Sequence, residues 1–130
     1  MTVPFLCVIA AGVLIFVPRV FVVVALRRMP EGFDNHAPRD QQARLTGFGK
    51  RAVAAHQNSF EAFTMFAPAV VIAHLAGGDP KLVALLAIAF VVLRVLYIAL
   101  YIGDVPSARS LVWLLGAAAT FGIYVSAYFR

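Results

Sequence analysis

The sequence predicts an all-α integral membrane protein: one domain over residues 1–130, folded as a four-helix bundle. Three observations carry this. Hydrophobic residues make up 62% of the chain and charged residues only 13%, where a soluble domain has about 25% charged. The mean hydropathy is +0.89. Four apolar runs, Val3–Leu26, Ala52–Ala76, Leu82–Ile102 and Leu111–Phe129, approach the roughly 20 residues a helix needs to cross about 30 Å of hydrocarbon. With their flanks, the helices are expected at 3–27, 51–77, 81–102 and 108–129, with a connecting loop over 28–50.

No basic residue precedes the first run, which is too long for a signal-peptide core and lacks a small-residue cleavage site, so it is expected to be an uncleaved span. Pro18 predicts a kink or local rearrangement within it. Beside it, Arg19 lies about two turns from the helix end, within reach of snorkelling or an internal partner. Cys7 is the single cysteine, which excludes an intrachain disulfide and a cysteine metal site.

The connection that follows holds six basic residues (Arg27, Arg28, Arg39, Arg44, Lys50, Arg51) against three acidic ones (Glu31, Asp34, Asp40). By the positive-inside rule it is cytoplasmic and both termini lie outside, although Arg130 counts weakly the other way. The pI near 10.0 then reflects orientation and affinity for anionic headgroups. No nucleic-acid-binding signature accompanies it, and no nucleic-acid partner is expected.

Between the second and third runs stand Gly77, Gly78, Asp79 and Pro80, and after the third Gly103, Asp104, Val105 and Pro106, both with turn chemistry. Connections this short make spans two, three and four antiparallel neighbours.

This topology places most of the intramembrane polar residues at one, cytoplasmic, depth. The first span supplies Arg19, Arg27 and Arg28; the second Arg51, His56, Asn58 and Glu61; the third Arg94, Tyr97 and Tyr101; the fourth Arg109 and Ser110. His74 is the chief exception. Ionisable groups in a span face a protein interior or a wet cavity. Asn58 and Glu61 are three apart, on a stripe that Ala54, Met65 and Pro68 extend, and Arg94, Tyr97 and Tyr101 share one face of the third helix. His56 points roughly opposite to Asn58. The pattern describes a cationic, phenol-lined cavity suited to a small anion. Plainer roles compete: Asn58 and Glu61 as interhelical hydrogen-bonding groups, Glu61 and Arg94 as a structural ion pair, the tyrosines as interfacial residues and the flanking bases as topology determinants. His56 and His74 fit packing or hydrogen-bonding roles, and no HExxH or comparable set supports a metal.

Three strings taken together resemble the MAPEG family, membrane-associated proteins in eicosanoid and glutathione metabolism. They are RAxxAHxNxxE (Arg51, Ala52, Ala55, His56, Asn58, Glu61), RVLYxxxY (Arg94, Val95, Leu96, Tyr97, Tyr101) and RSLVW (Arg109–Trp113). The stretch NHAPRDQQARLTGFGKRA looks more like bacterial members than mammalian eicosanoid synthases, and implies a bacterial inner-membrane location. The resemblance implies a homotrimer with glutathione bound between subunits at the cytoplasmic side. Asn58, Glu61, Tyr97 and Tyr101 match glutathione-site positions, with Arg27, Arg51 and Arg94 as further binding residues. Arg109 and Ser110 match a pair beside the thiol and are the candidate catalytic residues. A guanidinium there favours a thiolate that attacks a small hydrophobic electrophile arriving from the bilayer. One departure is Ala54, where glutathione-binding members usually carry arginine; Arg51, one turn away, is the candidate substitute. The implied function is a glutathione transferase or peroxidase. The alternative is a non-catalytic membrane protein binding a lipid or partner in the same pocket. Nothing resembles a channel filter or an inverted repeat.

Overall fold

The computed structural model describes residues 1–128; the expected end of the fourth span at 129 and the charge of Arg130 lie outside the described residues. Six helices follow in order: α1 (Val3–Leu14), α2 (Val17–Arg27), α3 (Pro38–Ala43), α4 (Gly47–Ala76), α5 (Pro80–Ile102) and α6 (Pro106–Tyr128). The described residues contain no strand. Four stretches are long and apolar enough to cross a membrane: Val3–Arg27 as α1 and α2 together, α4, α5 and α6. At most a third of each is buried within the molecule. Residues such as Val13, Val20, Leu85, Val92, Leu114 and Val125 therefore present apolar surface outward, as a chain solvated by lipid requires.

The first span is not one continuous helix. Pro18 has no N–H for the carbonyl four residues back, and its ring crowds that turn, so the helix gives way at Ile15 and Phe16. The Phe16 N–H instead closes a tighter turn onto the Val13 carbonyl at 3.0 Å. A side chain from the second span braces the break: His56 Nδ1 lies 2.7 Å from the Ile15 carbonyl oxygen, a contact in which the imidazole N–H donates.

The connection is shorter and more ordered than the expected 28–50 loop. It includes α3, and α4 begins at Gly47. Gln41, 1% exposed, pins this segment by donating to the Gly32 carbonyl and accepting from the Asp34 N–H. At the close approach of α4 to α2, a Cβ on Gly49 would stand 2.7 Å from the Ala25 Cβ, nearer than two methyl groups can come. α4 ends at Gly77, whose φ of 73° is left-handed, and the Gly78 N–H returns to the Ala73 carbonyl at 2.9 Å in a Schellman-type cap. Pro80 then opens α5, capped by the Asp79 carboxylate on the Lys81 N–H.

α5 packs against α6, α4 and α1, while α2 packs on α4. Small residues dominate the central core, with Ala11, Ala69, Ala73, Ala87 and Ala119 buried around stacked Phe66 and Phe90. Close backbone approach is how helices associate where lipid removes the hydrophobic driving force.

Candidate functional site

Arg94 is the organising residue. It sits in the third span at 5% exposure, where an uncompensated cation is costly, and three neighbours meet that cost. Its Nη1 donates to Asn58 Oδ1 at 3.0 Å and its Nη2 to Ser59 Oγ at 3.3 Å. Ser59 in turn donates to the Ala55 carbonyl at 2.8 Å. On its other side the guanidinium carbon lies 4.2 Å from the centre of the Tyr97 ring, within cation–π range.

Glu61 does not ion-pair with Arg94. The ion pairs among the described residues are Arg44–Glu31 and Arg51–Asp104. Asn58 intervenes: its amide oxygen takes the guanidinium, and its Nδ2 donates to Glu61 Oε2 at 3.2 Å. The i, i+3 spacing puts the amide and the carboxylate on one face of α4, and the amide is the nearer of the two to α5.

From Arg94 the site continues along α5 to the start of α6. The Tyr97 and Tyr101 rings meet edge to face with centroids 5.5 Å apart, and the Arg109 guanidinium carbon lies 4.3 Å from the Tyr101 ring centre. Guanidinium, phenol, phenol and guanidinium thus follow one another in a row. Tyr97, Tyr101, Asn58, Arg109, Ser110 and Trp113 line a polar cavity of about 250 Å³. No hydrogen bond or ion pair holds the Arg109 guanidinium among the described residues, so its N–H donors are available to an anion.

A second cavity of about 250 Å³ adjoins the first and shares Asn58 and Trp113 with it. Its other walls include Met65, Phe90, Ala117 and Phe121, and Glu61 and Arg94 lie at its polar end. One compartment offers donors and cationic charge, and the other offers apolar walls.

The structure therefore brings together Asn58, Glu61, Arg94, Tyr97, Tyr101, Arg109 and Ser110. It does not bring Arg51 or Arg27 to them. Arg51 Nε donates to the Ile102 carbonyl at 3.1 Å and its Nη1 lies 3.5 Å from Asp104 Oδ2, so it ties α4 to the α5–α6 turn, where Asp104 takes a φ of 63°. Arg27 is exposed in the last turn of α2 and lines neither cavity. Ala54 leaves its position without charge. Sequence reasoning gave no role to Ser59 or Trp113. Ser59 could have been found as the only hydroxyl one residue from Asn58, and Trp113 as the aromatic one turn beyond Arg109 and Ser110.

A family model described as the MAPEG family matches residues 3–129. No curated protein and no solved structure matches the chain.

Proposed function

The chain belongs to the MAPEG family, and from that premise we propose that it is an integral membrane glutathione transferase or peroxidase acting on lipophilic electrophiles. The observation that carries this reading is the pair of adjoining cavities, one polar and one apolar, that share Asn58 and Trp113. A thiol and a lipophile held on either side of those two residues would be in contact.

The donor set suits the tripeptide's chemistry. Arg109, Tyr97, Tyr101 and Ser110 donate to carboxylate or thiolate groups, and Glu61 can accept from an ammonium. Glutathione, when bound, supplies a nucleophilic sulfur that bonds to the electrophilic carbon as the leaving group departs with its electron pair. Arg109 would stabilise negative charge on the sulfur, since a cation near a thiol favours the ionised form. Trp113 lines both cavities, so its indole would lie beside both the nucleophile and the electrophile.

Assembly follows from what a single protomer leaves uncovered. Glu61 is exposed on the second span, and lipid does not satisfy a carboxylate, so a subunit interface is the economical cover. We take the assembly to be a homotrimer, with Arg27 of a neighbouring copy brought to the site that Arg27 of the same chain does not reach. The basic connection between the first two spans is assigned to the cytoplasmic face of a bacterial inner membrane.

The test is calorimetric titration of the detergent-purified protein with glutathione, followed by conjugation assays with a chloronitrobenzene electrophile. Saturable binding and turnover are expected. Absence of both, with an ordered lipid recovered from the same cavities, would overturn the reading in favour of a lipid-binding protein.

A further inference from the structure

On the opposite side of α4 from Asn58, a separate polar cavity of about 510 Å³ opens between the first span, the second span and α3. Arg19, Arg39, Gln42, His56, Gln57 and Phe60 are among its lining residues, and no carboxylate is among them. It shares no residue with the two cavities described above.

Arg19 is the residue that needs explaining. It lies eight positions before the end of α2 at Arg27, a rise of about 12 Å along the helix, within a stretch otherwise apolar on both sides. A cation at such depth is costly unless it meets a partner or water. Neither Arg19 nor Arg39 has a hydrogen-bond or ion-pair partner among the described residues. Of the acidic residues of the connection, Glu31 pairs with Arg44 at 2.9 Å and Asp34 accepts from the His36 N–H at 2.8 Å, while Asp40, beside Arg39 in α3, is exposed and does not line the cavity. Two unpaired guanidinium groups and two amide side chains line one cavity, which offers cationic donors and no anionic acceptor.

We propose that this cavity binds the phosphate of an anionic phospholipid headgroup. Guanidinium forks match phosphate oxygens in pairs, and basic pockets between membrane helices hold phosphorylated headgroups. The cavity's flank indicates a lipid as the source of the phosphate. His56 meets Phe60 edge to face at 5.2 Å and lies 6.4 Å from the Phe16 ring. Phe16, Val20 and Phe60 are exposed, an apolar track along which acyl chains can run from a headgroup held by Arg19 and Arg39. A free phosphate would use the arginines and leave that track unused. A zwitterionic headgroup would bring an ammonium to a cavity with no carboxylate.

The experiment uses the delipidated, detergent-purified assembly. Native mass spectrometry follows bound dioleoylphosphatidylglycerol and dioleoylphosphatidylcholine, and calorimetry follows inorganic phosphate. Wild type is expected to prefer the anionic lipid, and Arg19→Gln and Arg39→Gln each to lower that preference about fivefold. Arg44→Gln, whose partner is Glu31, should leave it unchanged. Should Arg19→Gln not fold, Arg19→Lys decides, since it keeps the charge and loses the fork: a reduced preference supports the site and an unchanged one overturns it. The proposal also fails if wild type binds the two lipids equally, if Arg19→Gln retains the full preference, or if inorganic phosphate saturates the cavity without competition from the anionic lipid.

Discussion

Arg94 on α5 and Asn58 on α4 are joined by a 3.0 Å hydrogen bond from Nη1 to Oδ1, and the second and third spans cross at this contact. Because the guanidinium is buried, its partners are structural as well as functional. Asn58→Leu removes one acceptor and leaves the cation with Ser59 Oγ and the face of the Tyr97 ring. The expected loss is about 1–3 kcal/mol, read from unfolding by denaturing detergent. Arg94→Met in the Asn58→Leu background should recover part of it, because two apolar groups replace an unmatched charge. If the double variant is no more stable than Asn58→Leu, the unmatched charge is not the source of the loss.

Gly49 and Ala25 mark the tightest approach of the first two spans. Gly49→Ala would set two methyl carbons 2.7 Å apart and push α4 from α2, at a cost of about 1–3 kcal/mol typical of overpacking. Ala25→Gly in the same chain removes the opposing methyl and should restore most of the lost stability. Thermal unfolding in detergent reads both, and a neutral Gly49→Ala would show that the spans can separate freely.

The spans were legible because lipid leaves few solutions: an apolar run of the right length between Gly and Pro turns has to be a helix. The face shared by Arg94, Tyr97 and Tyr101 was legible for the same reason, since period alone fixes it. What escaped were contacts decided by distance between elements. The sequence brings Glu61 and Arg94 together as opposite charges, but it cannot show that Asn58 occupies the space between them. Arg51 is equally placed, by sequence, to enter the pocket or to hold the Ile102 carbonyl, and the left-handed turn at Asp104 decides for the latter. Pro18 signals a disturbed helix, whereas the brace from His56 to Ile15 depends on how the two spans pack.

Arg109 combines a weak structural attachment with a central position. Its guanidinium lies 4.3 Å from the Tyr101 ring centre and makes no hydrogen bond or ion pair among the described residues, so Arg109→Ala should leave the assembly folded. If the guanidinium stabilises a bound thiolate, its removal raises the thiol's pKa toward or above the free value of about 8.5. The rate of conjugation rises with pH as the thiol ionises, so the rising limb of the profile should move to higher pH in the variant. At pH 7 kcat/KM should fall about 10–100-fold, and above both pKa values the two rates should converge. Arg109→Lys should recover part of the loss. A uniform drop at every pH would instead assign Arg109 to substrate binding.

Position 54 tests whether the polar cavity is built for glutathione. Ala54 lies one turn before Asn58 on α4, and Arg51 is held at the Asp104 turn, so cationic charge at that level of the pocket is missing. Ala54→Arg should therefore tighten glutathione binding about tenfold or more, as a charge-assisted hydrogen bond to a carboxylate does. Glu61→Gln should weaken it, because a neutral amide accepts less strongly from the peptide's ammonium. Arg51→Gln should change affinity little and lower stability, since its partners are the Ile102 carbonyl and Asp104. Calorimetric titration of wild type and the three variants at one pH separates these outcomes. No binding by wild type and none gained by Ala54→Arg would mean that the arginine–tyrosine row holds some other anion, and the glutathione assignment would fall while the fold stood.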